Sequence, residues 1–199
     1  RAFNPSEKSL MASAIYEKDK FLFLSVGLLY HCFIRPIEQR RMRFRMIDLR
    51  EGLIRLPASV TKNGEYAVIT IPDSFLSFLF EFRLHEYNQN HLIFGEKGKP
   101  HPSKQARHDL MNGRHKIILE NLLKKNLLDD ITGLSLYSWK DTGVLELFKR
   151  KVNILEIMRQ LRHKDLNTTQ KYCTSLYMIN EEIKALDTRL LPEEMPMLR

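Results

Sequence analysis

A histidine and a tyrosine stand nine residues apart in the last fifth of the chain, at His163 and Tyr172. We expect a turn after Leu161 to carry the histidine, and Asn167 to cap a short helix from which Tyr172 projects. A tyrosine hydroxyl in such a place can act as a nucleophile. The alternative is a half-buried aromatic side chain whose hydroxyl is simply hydrogen-bonded, which is the usual role of a tyrosine.

Two basic residues earlier in the chain could bind an anion. Arg35 precedes Pro36, a residue favoured in the first turn of a helix, so its guanidinium would add to backbone N–H groups that suit an anion. A surface salt bridge to Glu38 is the alternative. Lys62 precedes an Asn-Gly turn, where an ammonium on a long stem can contact a phosphate or donate a proton, although such a lysine is often only a soluble turn residue.

The composition limits the class of protein. The chain has 199 residues, 43% of them hydrophobic, and 32 Lys and Arg against 24 Asp and Glu give a net charge of +8. This balance favours a polyanionic partner, although a basic protein without such a partner would also fit. The two cysteines, Cys32 and Cys173, are isolated, so we expect neither a disulfide framework nor a zinc site, and a reducing cytoplasm fits best. The longest apolar run, residues 21–34, is too short to cross a bilayer.

The hydrophobic pattern alternates between helical and extended periods, and no internal repeat or linker interrupts it. It predicts an α+β fold that is mostly α-helical with a small three-stranded antiparallel sheet. The predicted helices cover residues 4–17, 19–33, 73–84, 104–125, 154–160 and 178–191, with further helices from residue 36 and up to residue 150. The predicted strands cover residues 44–48, 52–57 and 66–72, and a short fourth strand covers residues 91–94.

A short box at Tyr137-Ser138-Trp139-Lys140-Asp141 completes the set. Together with Arg35, Lys62, His163 and Tyr172, it resembles the catalytic constellation of the tyrosine recombinases, the phage integrase family. That family has an arginine before a Glu-containing helix, a lysine on a β-hairpin, a His-x-x-Arg box, and Leu-Gly-His followed by a tyrosine. Here the separations are 27 residues from Arg35 to Lys62, 23 from Lys140 to His163, and nine from His163 to Tyr172. The resemblance covers essentially the whole chain.

The resemblance implies a site-specific DNA recombinase, an integrase that cleaves and rejoins strands through a 3′-phosphotyrosyl intermediate. Tyr172 would attack a phosphodiester, and Arg35 and Lys140 would neutralise the extra negative charge of the transition state. Lys62 would protonate the leaving 5′-oxygen, and His163 would hydrogen-bond to the phosphate. No metal or other cofactor is expected, because basic side chains perform the electrostatic work.

The box departs from the usual family pattern at three positions. Tyr137 replaces a histidine and keeps a hydrogen-bond donor but not an imidazole base. Lys140 replaces an arginine and keeps the charge but not the bidentate fork. Asp141 replaces a frequent histidine, and its carboxylate could pair with Lys140 or repel the phosphate. The Trp-Lys-x-Thr-Gly run, with Leu-Arg-His in place of Leu-Gly-His, is similar to integrases of mobile elements in Bacteroidetes-type bacteria.

Two other interpretations stay open. The altered box could mark a catalytically impaired, DNA-binding relative of the family. The chain could also be an unrelated basic helical module, if the spacing of the five elements were a coincidence.

The resemblance also implies partners and domain limits. We expect double-stranded DNA at attachment sites, a homo-multimer (a tetramer) on that DNA, and a location in the bacterial cytoplasm with the nucleoid. Residues 1–176 would form the catalytic core, and residues 177–199 a C-terminal helix and tail that packs on a neighbouring protomer or back on its own domain. Because the chain starts at Arg1, we expect the N-terminal core-binding domain to be absent from it. Six other basic residues are candidates for DNA backbone contacts: Arg40, Arg41, Arg43, Lys104, Arg107 and Arg114.

Overall fold

Helices make up most of the fold, and a small sheet lies between the third and fourth of them in the chain. The computed structural model describes residues 1–176, and the predicted helix over residues 178–191 lies outside them. Strands β1 to β3 span Ile47–Asp48, Leu53–Leu56 and Ala67–Thr70. Helices α1 to α8 span Pro5–Lys18, Lys20–His31, Pro36–Gln39, Asp73–Glu81, Leu110–Lys124, Ser138–Lys149, Ile154–Leu161 and Leu166–Leu176. The predicted fold class, α+β and mostly helical with three antiparallel strands, is confirmed.

Helices α1 and α2 begin at polar caps and form the centre of the core. The Asn4 side chain accepts a hydrogen bond from the backbone of Glu7 at 2.9 Å, and the Glu7 carboxylate accepts one from the backbone of Asn4 at 2.8 Å. This reciprocal pair is a capping box. Asp19 caps α2, which is apolar on almost every side and packs against α1, α5 and α6. Within residues 1–176, no helix combines the length and the apolar character needed to cross a membrane.

The sheet has the strand order β1-β2-β3, and both pairs are antiparallel. Ile54 on the central strand lies opposite Ile47 on one side and Ile69 on the other, and all three side chains are buried in the main core. The alternation of buried and exposed residues along β2 is typical of a sheet with one face on the core.

The loop between β2 and β3 presents Lys62 at its tip. The Thr61 hydroxyl hydrogen-bonds to both the carbonyl and the N–H of Glu65, at 2.8 and 3.1 Å, and so closes the loop around Lys62. Gly64 makes the turn with a φ of 70°, a conformation that glycine adopts at little cost. The lysine side chain is exposed.

Helix α6 is fixed closely against α2 by the residues of the Trp-Lys-x-Thr-Gly run. A Cβ atom at Gly143 would lie 2.1 Å from the carbonyl oxygen of Tyr30, so this contact admits only glycine. One turn earlier in the helix, the Trp139 indole N–H donates to the buried His115 at 3.0 Å. These contacts set the position of the whole helix, including Lys140.

A smaller apolar cluster connects the C-terminal helices to the rest of the domain. Phe33, Val144, Ile157 and Leu161 form it, and Tyr172 on α8 packs against it. The tyrosine is therefore held by α8 against α6 and α7.

Two predicted strands are shorter than expected or absent. Phe44–Met46 forms a 3-10 helix, so the first strand is only Ile47–Asp48. In place of the fourth predicted strand, Leu92 makes isolated bridges to Arg43 and His101. These partners belong to separate loops, and neither loop continues into a ladder.

The starts of two helices also differ from the prediction. The helix predicted from Lys104 begins at Leu110, because the backbone that precedes it hydrogen-bonds to an earlier loop. The cap predicted at Asn167 is wrong, since Asp165 occupies that place and accepts the backbone N–H of Thr168 at 2.8 Å. Aspartate and asparagine are both good caps, and their spacing alone does not distinguish them.

Candidate active site

A buried carboxylate, Glu38, joins three segments that are far apart in the sequence. Its side chain has no exposed surface. Oε2 accepts the backbone N–H of Arg35 at 2.8 Å, and Oε1 accepts the backbone N–H of Lys62 at 3.0 Å. The Arg162 guanidinium donates to both oxygens, at 3.0 and 2.9 Å.

The pKa of Glu38 lies below its ordinary value. Burial acts to raise this pKa, but the hydrogen bonds and the charge of Arg162 outweigh burial, with the N–H groups of Lys62 and Arg35 adding to them. The carboxylate is therefore ionised at neutral pH.

Arg35 lies at the N-cap position of α3, at the edge of this network. Its side chain is 15% exposed, and Nη1 lies 3.3 Å from Glu38 Oε1. The salt bridge that the sequence offered as the alternative to anion binding is thus present, but it uses a single long contact. Within residues 1–176 this guanidinium makes no other hydrogen bond, so most of its donors stay available beside the cleft that Arg35 helps to line.

The lysine loop reaches the same place from the sheet. Only the backbone of Lys62 is tied to Glu38, so its exposed side chain can move. Lys164 pairs with Glu65 at 2.7 Å and connects the loop to the turn between α7 and α8. The structure therefore holds Lys62 near Arg35 and the His163 turn through its backbone.

Lys140 is the most deeply buried cation of the predicted constellation, with 6% of the residue exposed. Its Nζ lies 5.7 Å from the ring centre of Tyr137 and 5.3 Å from that of Tyr172. Burial lowers the pKa of Lys140 to about 8, the charge of Arg35 adds to this effect, and Asp141 opposes it. Tyr137 is 42% exposed at the start of α6.

Tyr172 and His163 meet beside Lys140. The two ring centres are 6.0 Å apart, and the Tyr172 hydroxyl donates a hydrogen bond to Asp141 Oδ1. His163 Nδ1 lies 3.0 Å from the hydroxyl of the fully buried Thr169. Burial lowers the pKa of His163, and the charges of Lys140 and Arg35 lower it further, so the imidazole is neutral at pH 7.

A cleft of about 310 Å³ opens between the lysine loop and the α7 to α8 turn. Four basic side chains and His163 contribute to its lining: Arg35, Arg159, Arg162 and Lys164. Two carboxylates, Glu38 and Glu65, also line it, so the cations outnumber the anions and the cleft attracts ions of negative charge. This surface is suited to a polyanion.

The structure brings the six predicted catalytic residues into one region and adds others that the sequence analysis missed. The sequence predicts Glu38 only as a salt-bridge partner of Arg35, and it indicates no role in the site for Arg162 or Thr169. The one available signal was Arg162 itself, a charged residue where a helix end usually has glycine. Asp141 binds Tyr172, whereas the sequence suggested Lys140 or the phosphate as its neighbour.

Three of the six predicted DNA-contacting residues hold the protein together. Arg40 donates to the carbonyl of Ala106 at 2.6 Å, and Arg43 donates to loop carbonyls that include Pro102 at 3.1 Å. Arg114 pairs with Asp19 at 2.9 Å. Arg40 and Arg43 fix the long loop between α4 and α5, and Arg114 also donates to the Lys97 carbonyl in that loop.

The other three candidates are more accessible. The side chains of Lys104 and Arg107 are 66% and 79% exposed, and they form surface pairs with Glu96 and Asp109. Arg41 is partly exposed. Exposed pairs of this kind are weak and can be exchanged for a phosphate contact.

Comparisons with known proteins identify the family and the fold. The sequence profile of the phage integrase family matches residues 6–178, and no match was found among the curated protein sequences. XerA recombinase has a similar structure, with 16% identity, a TM-score of 0.67, and coverage of 92% of this chain and 61% of that protein. The Tn1549 transposon integrase in complex with circular intermediate DNA gives 10% identity, a TM-score of 0.67, and coverage of 90% and 65%. A lambda integrase dimer bound to a COC′ core site gives 13% identity, a TM-score of 0.62, and coverage of 86% of this chain and 47% of that protein.

The chain spans less than two thirds of each of these three proteins. At such low identities, the likeness establishes the fold of a tyrosine recombinase catalytic domain. The family profile covers most of the sequence, including every residue of the site. This chain therefore belongs to the phage integrase family.

Proposed function

We propose that this chain is the catalytic domain of a site-specific DNA recombinase that cuts and rejoins strands through Tyr172. The observation that carries the proposal is the convergence of Lys140, His163 and Tyr172 beside the cleft that Arg35 lines. A nucleophile next to donors and cations is what a phosphoryl transfer requires, because negative charge accumulates on the non-bridging oxygens.

The proposed cleavage step begins at the Tyr172 hydroxyl. Its oxygen attacks the phosphorus, its proton passes to Asp141 Oδ1, and the bond from phosphorus to the 5′-oxygen breaks. Lys62 gives a proton to the departing 5′-oxygen. The product is a 3′-phosphotyrosyl bond, which a 5′-hydroxyl of another strand can attack in the reverse sense to rejoin the DNA.

Four residues would stabilise the transition state. Arg35 and Lys140 supply positive charge to the non-bridging oxygens. If the Thr169 hydroxyl donates to His163 Nδ1, the neutral imidazole carries its proton on Nε2 and can donate it to the phosphate. Tyr137, exposed at the mouth of the site, supplies a further hydroxyl donor. These side chains perform the electrostatic work without requiring a metal ion.

The proposed substrate is double-stranded DNA at the attachment sites of a mobile element. The net charge of +8 supports this proposal, and the Tn1549 and lambda integrases were solved with DNA. The lambda protein is a dimer in that complex, and we propose a homo-multimer, a tetramer, on DNA for this chain as well. Residues 1–176 would be its catalytic core.

The test uses a nicked suicide substrate taken from the junction of the element, with the full-length protein and its Tyr172→Phe variant. We expect wild type alone to give a protein–DNA band that resists denaturation, because only the tyrosine oxygen can form the covalent bond. Both proteins should shift the same DNA under native conditions. A covalent band in the phenylalanine variant would show that another residue is the nucleophile.

A second candidate function is DNA binding without cleavage. The altered box favours it, since Lys140 lacks the fork of an arginine and the Tyr172 hydroxyl is engaged by Asp141. A shift of the DNA by wild type without any covalent band would support this candidate.

A further inference from the structure

Arg162 occupies a position that usually belongs to glycine. It follows the last residue of α7 with a φ of 58° and a ψ of 43°, in the left-handed region. Helices commonly end there with glycine, because a side chain is disfavoured in this conformation. An arginine at this point therefore needs a compensating contribution from its side chain.

The side chain is built into the interior beneath the cleft. Only 12% of it is exposed, and its guanidinium donates to both oxygens of Glu38 and to the carbonyl of Phe33 at 2.9 Å. Nε has no hydrogen-bond partner within residues 1–176. A buried carboxylate is costly unless a cation and hydrogen bonds neutralise it, and Arg162 supplies both.

Two arginines contact the same carboxylate, but not equally. Arg162 makes two contacts, at 3.0 and 2.9 Å, whereas the Arg35 guanidinium makes one at 3.3 Å. Paired bonds from a guanidinium to a carboxylate are stronger than a single contact. Arg162 is therefore the main counter-ion of Glu38.

We infer that Arg162 is a positioning residue that neutralises Glu38 and so leaves the guanidinium of Arg35 available for the scissile phosphate. This inference rests on the proposed function. The group formed by Arg35, Glu38 and Arg162 carries one net positive charge. Without Arg162 that group is neutral, and Glu38 draws Arg35 into the paired geometry that Arg162 now occupies.

The test compares Arg162→Met with the double variant Glu38→Gln/Arg162→Met. The measurement is the single-turnover cleavage rate of a saturating nicked substrate, together with the equilibrium affinity for the DNA. Arg162→Met should cleave about 100-fold more slowly or worse, which is typical of losing one transition-state donor, while its affinity for DNA stays close to that of wild type. The double variant should cleave faster than Arg162→Met, because an uncharged residue 38 no longer captures Arg35.

The control is Arg150→Met, which removes the same charge and an exposed ion pair to Glu146 on α6. It should cleave like wild type. Arg162→Gly is a second variant that also removes the guanidinium. Glycine suits the left-handed backbone, so this variant should fold more readily than Arg162→Met. It should be slow as well, and Glu38→Gln should accelerate it too.

Two results would overturn the inference: wild-type cleavage by the Arg162 variants, or a double variant as slow as Arg162→Met. The second result would assign Arg162 a purely structural role, because removing the charge of Glu38 would then not restore cleavage. The failure of the proposed function is distinguishable, since wild type would then form no covalent adduct in the same assay.

Discussion

Lys140 differs from the arginine that usually stands in this box, because a lysine can lose its proton near physiological pH. Its pKa is lowered to about 8, so the side chain is charged below that pH and loses its charge above it. An arginine stays charged throughout this range. If Lys140 stabilises the transition state, cleavage must weaken as the solution becomes alkaline.

We expect kcat/KM for cleavage by wild type to fall by about tenfold per pH unit above about pH 8, since this parameter reports the free enzyme. Lys140→Arg should remove that decline. Single-turnover rates at subsaturating DNA between neutral and alkaline pH would measure both profiles. An equal decline in the arginine variant would assign the titration to another group.

Asp141 also departs from the usual box, and its carboxylate accepts a hydrogen bond from the hydroxyl of Tyr172, the proposed nucleophile. In Asp141→Asn the amide oxygen can still accept the Tyr172 hydroxyl, but it cannot take the proton. We expect cleavage to slow by about 100-fold or more, the usual contribution of a general base. In a Lys140→Arg background, where residue 140 keeps its charge, the rate should recover as the pH rises and hydroxide replaces the carboxylate.

The control for that variant is Asp129→Asn, an exposed aspartate in the loop after α5, which should cleave like wild type. A nearly unchanged rate in Asp141→Asn would mean that Asp141 only orients the tyrosine. Rates over a pH series separate these two roles.

At the scale of elements, the site depends on how α6 is seated against α2. Lys140 and Asp141 share α6 with Gly143, whose backbone approaches Tyr30 too closely for any side chain. A change at this contact must move the helix or distort α2, because the opposing atom belongs to the main chain. Such a change therefore affects the active site without touching it.

Gly143→Ala should destabilise the domain by about 1–3 kcal/mol, the usual cost of overpacking, and should also slow cleavage. Gly113→Ala is the matched control, since a Cβ atom there meets nothing within 4 Å. The free energy of unfolding of this control should rise by about 0.5–1 kcal/mol, because alanine has a better helix propensity than glycine. Urea unfolding at neutral pH would measure both, and a neutral effect of Gly143→Ala would contradict the packing argument.

At the scale of the whole molecule, two histidines whose pKa burial lowers to about 4, His31 and His115, make the fold sensitive to acid. His115 is 1% exposed and accepts the indole N–H of Trp139, so it must be neutral in the folded state. Burial lowers its pKa from 6.5 to about 4. Because the unfolded chain binds this proton more readily, the contribution of His115 to the free energy of unfolding is fully present above pH 6.5 and is lost as the pH falls toward 4.

That difference corresponds to about 3 kcal/mol of stability. His115→Gln keeps an acceptor for Trp139 but does not titrate, so we expect it to lose less stability than wild type between pH 6.5 and 4.5. The exposed His85→Gln should follow wild type. Urea unfolding at several pH values gives the comparison, and parallel curves for wild type and His115→Gln would rule out this histidine as the cause.

Local signals predicted what local interactions determine. The cap at Asn4, the three-stranded sheet and the order of Arg35, Lys140, His163 and Tyr172 were readable because each depends on short patterns or on spacing. The start of α5 was not, since the backbone before it bonds to a distant loop. The pairing of Glu38 with Arg162 joins residues 124 apart, and the sequence around each of them does not identify the other as its partner.

The pairing of Glu38 with Arg162 also limits which chimeras can be built between this chain and other recombinases of the family. A chimera that receives residues 161–172 from this chain would import Arg162 without its acceptor unless the Glu38 segment came from the same parent. The reverse exchange would leave Glu38 buried without its main counter-ion, a defect that typically costs about 3–5 kcal/mol. The two segments must therefore be exchanged together in a chimera, although most of the domain separates them in the chain.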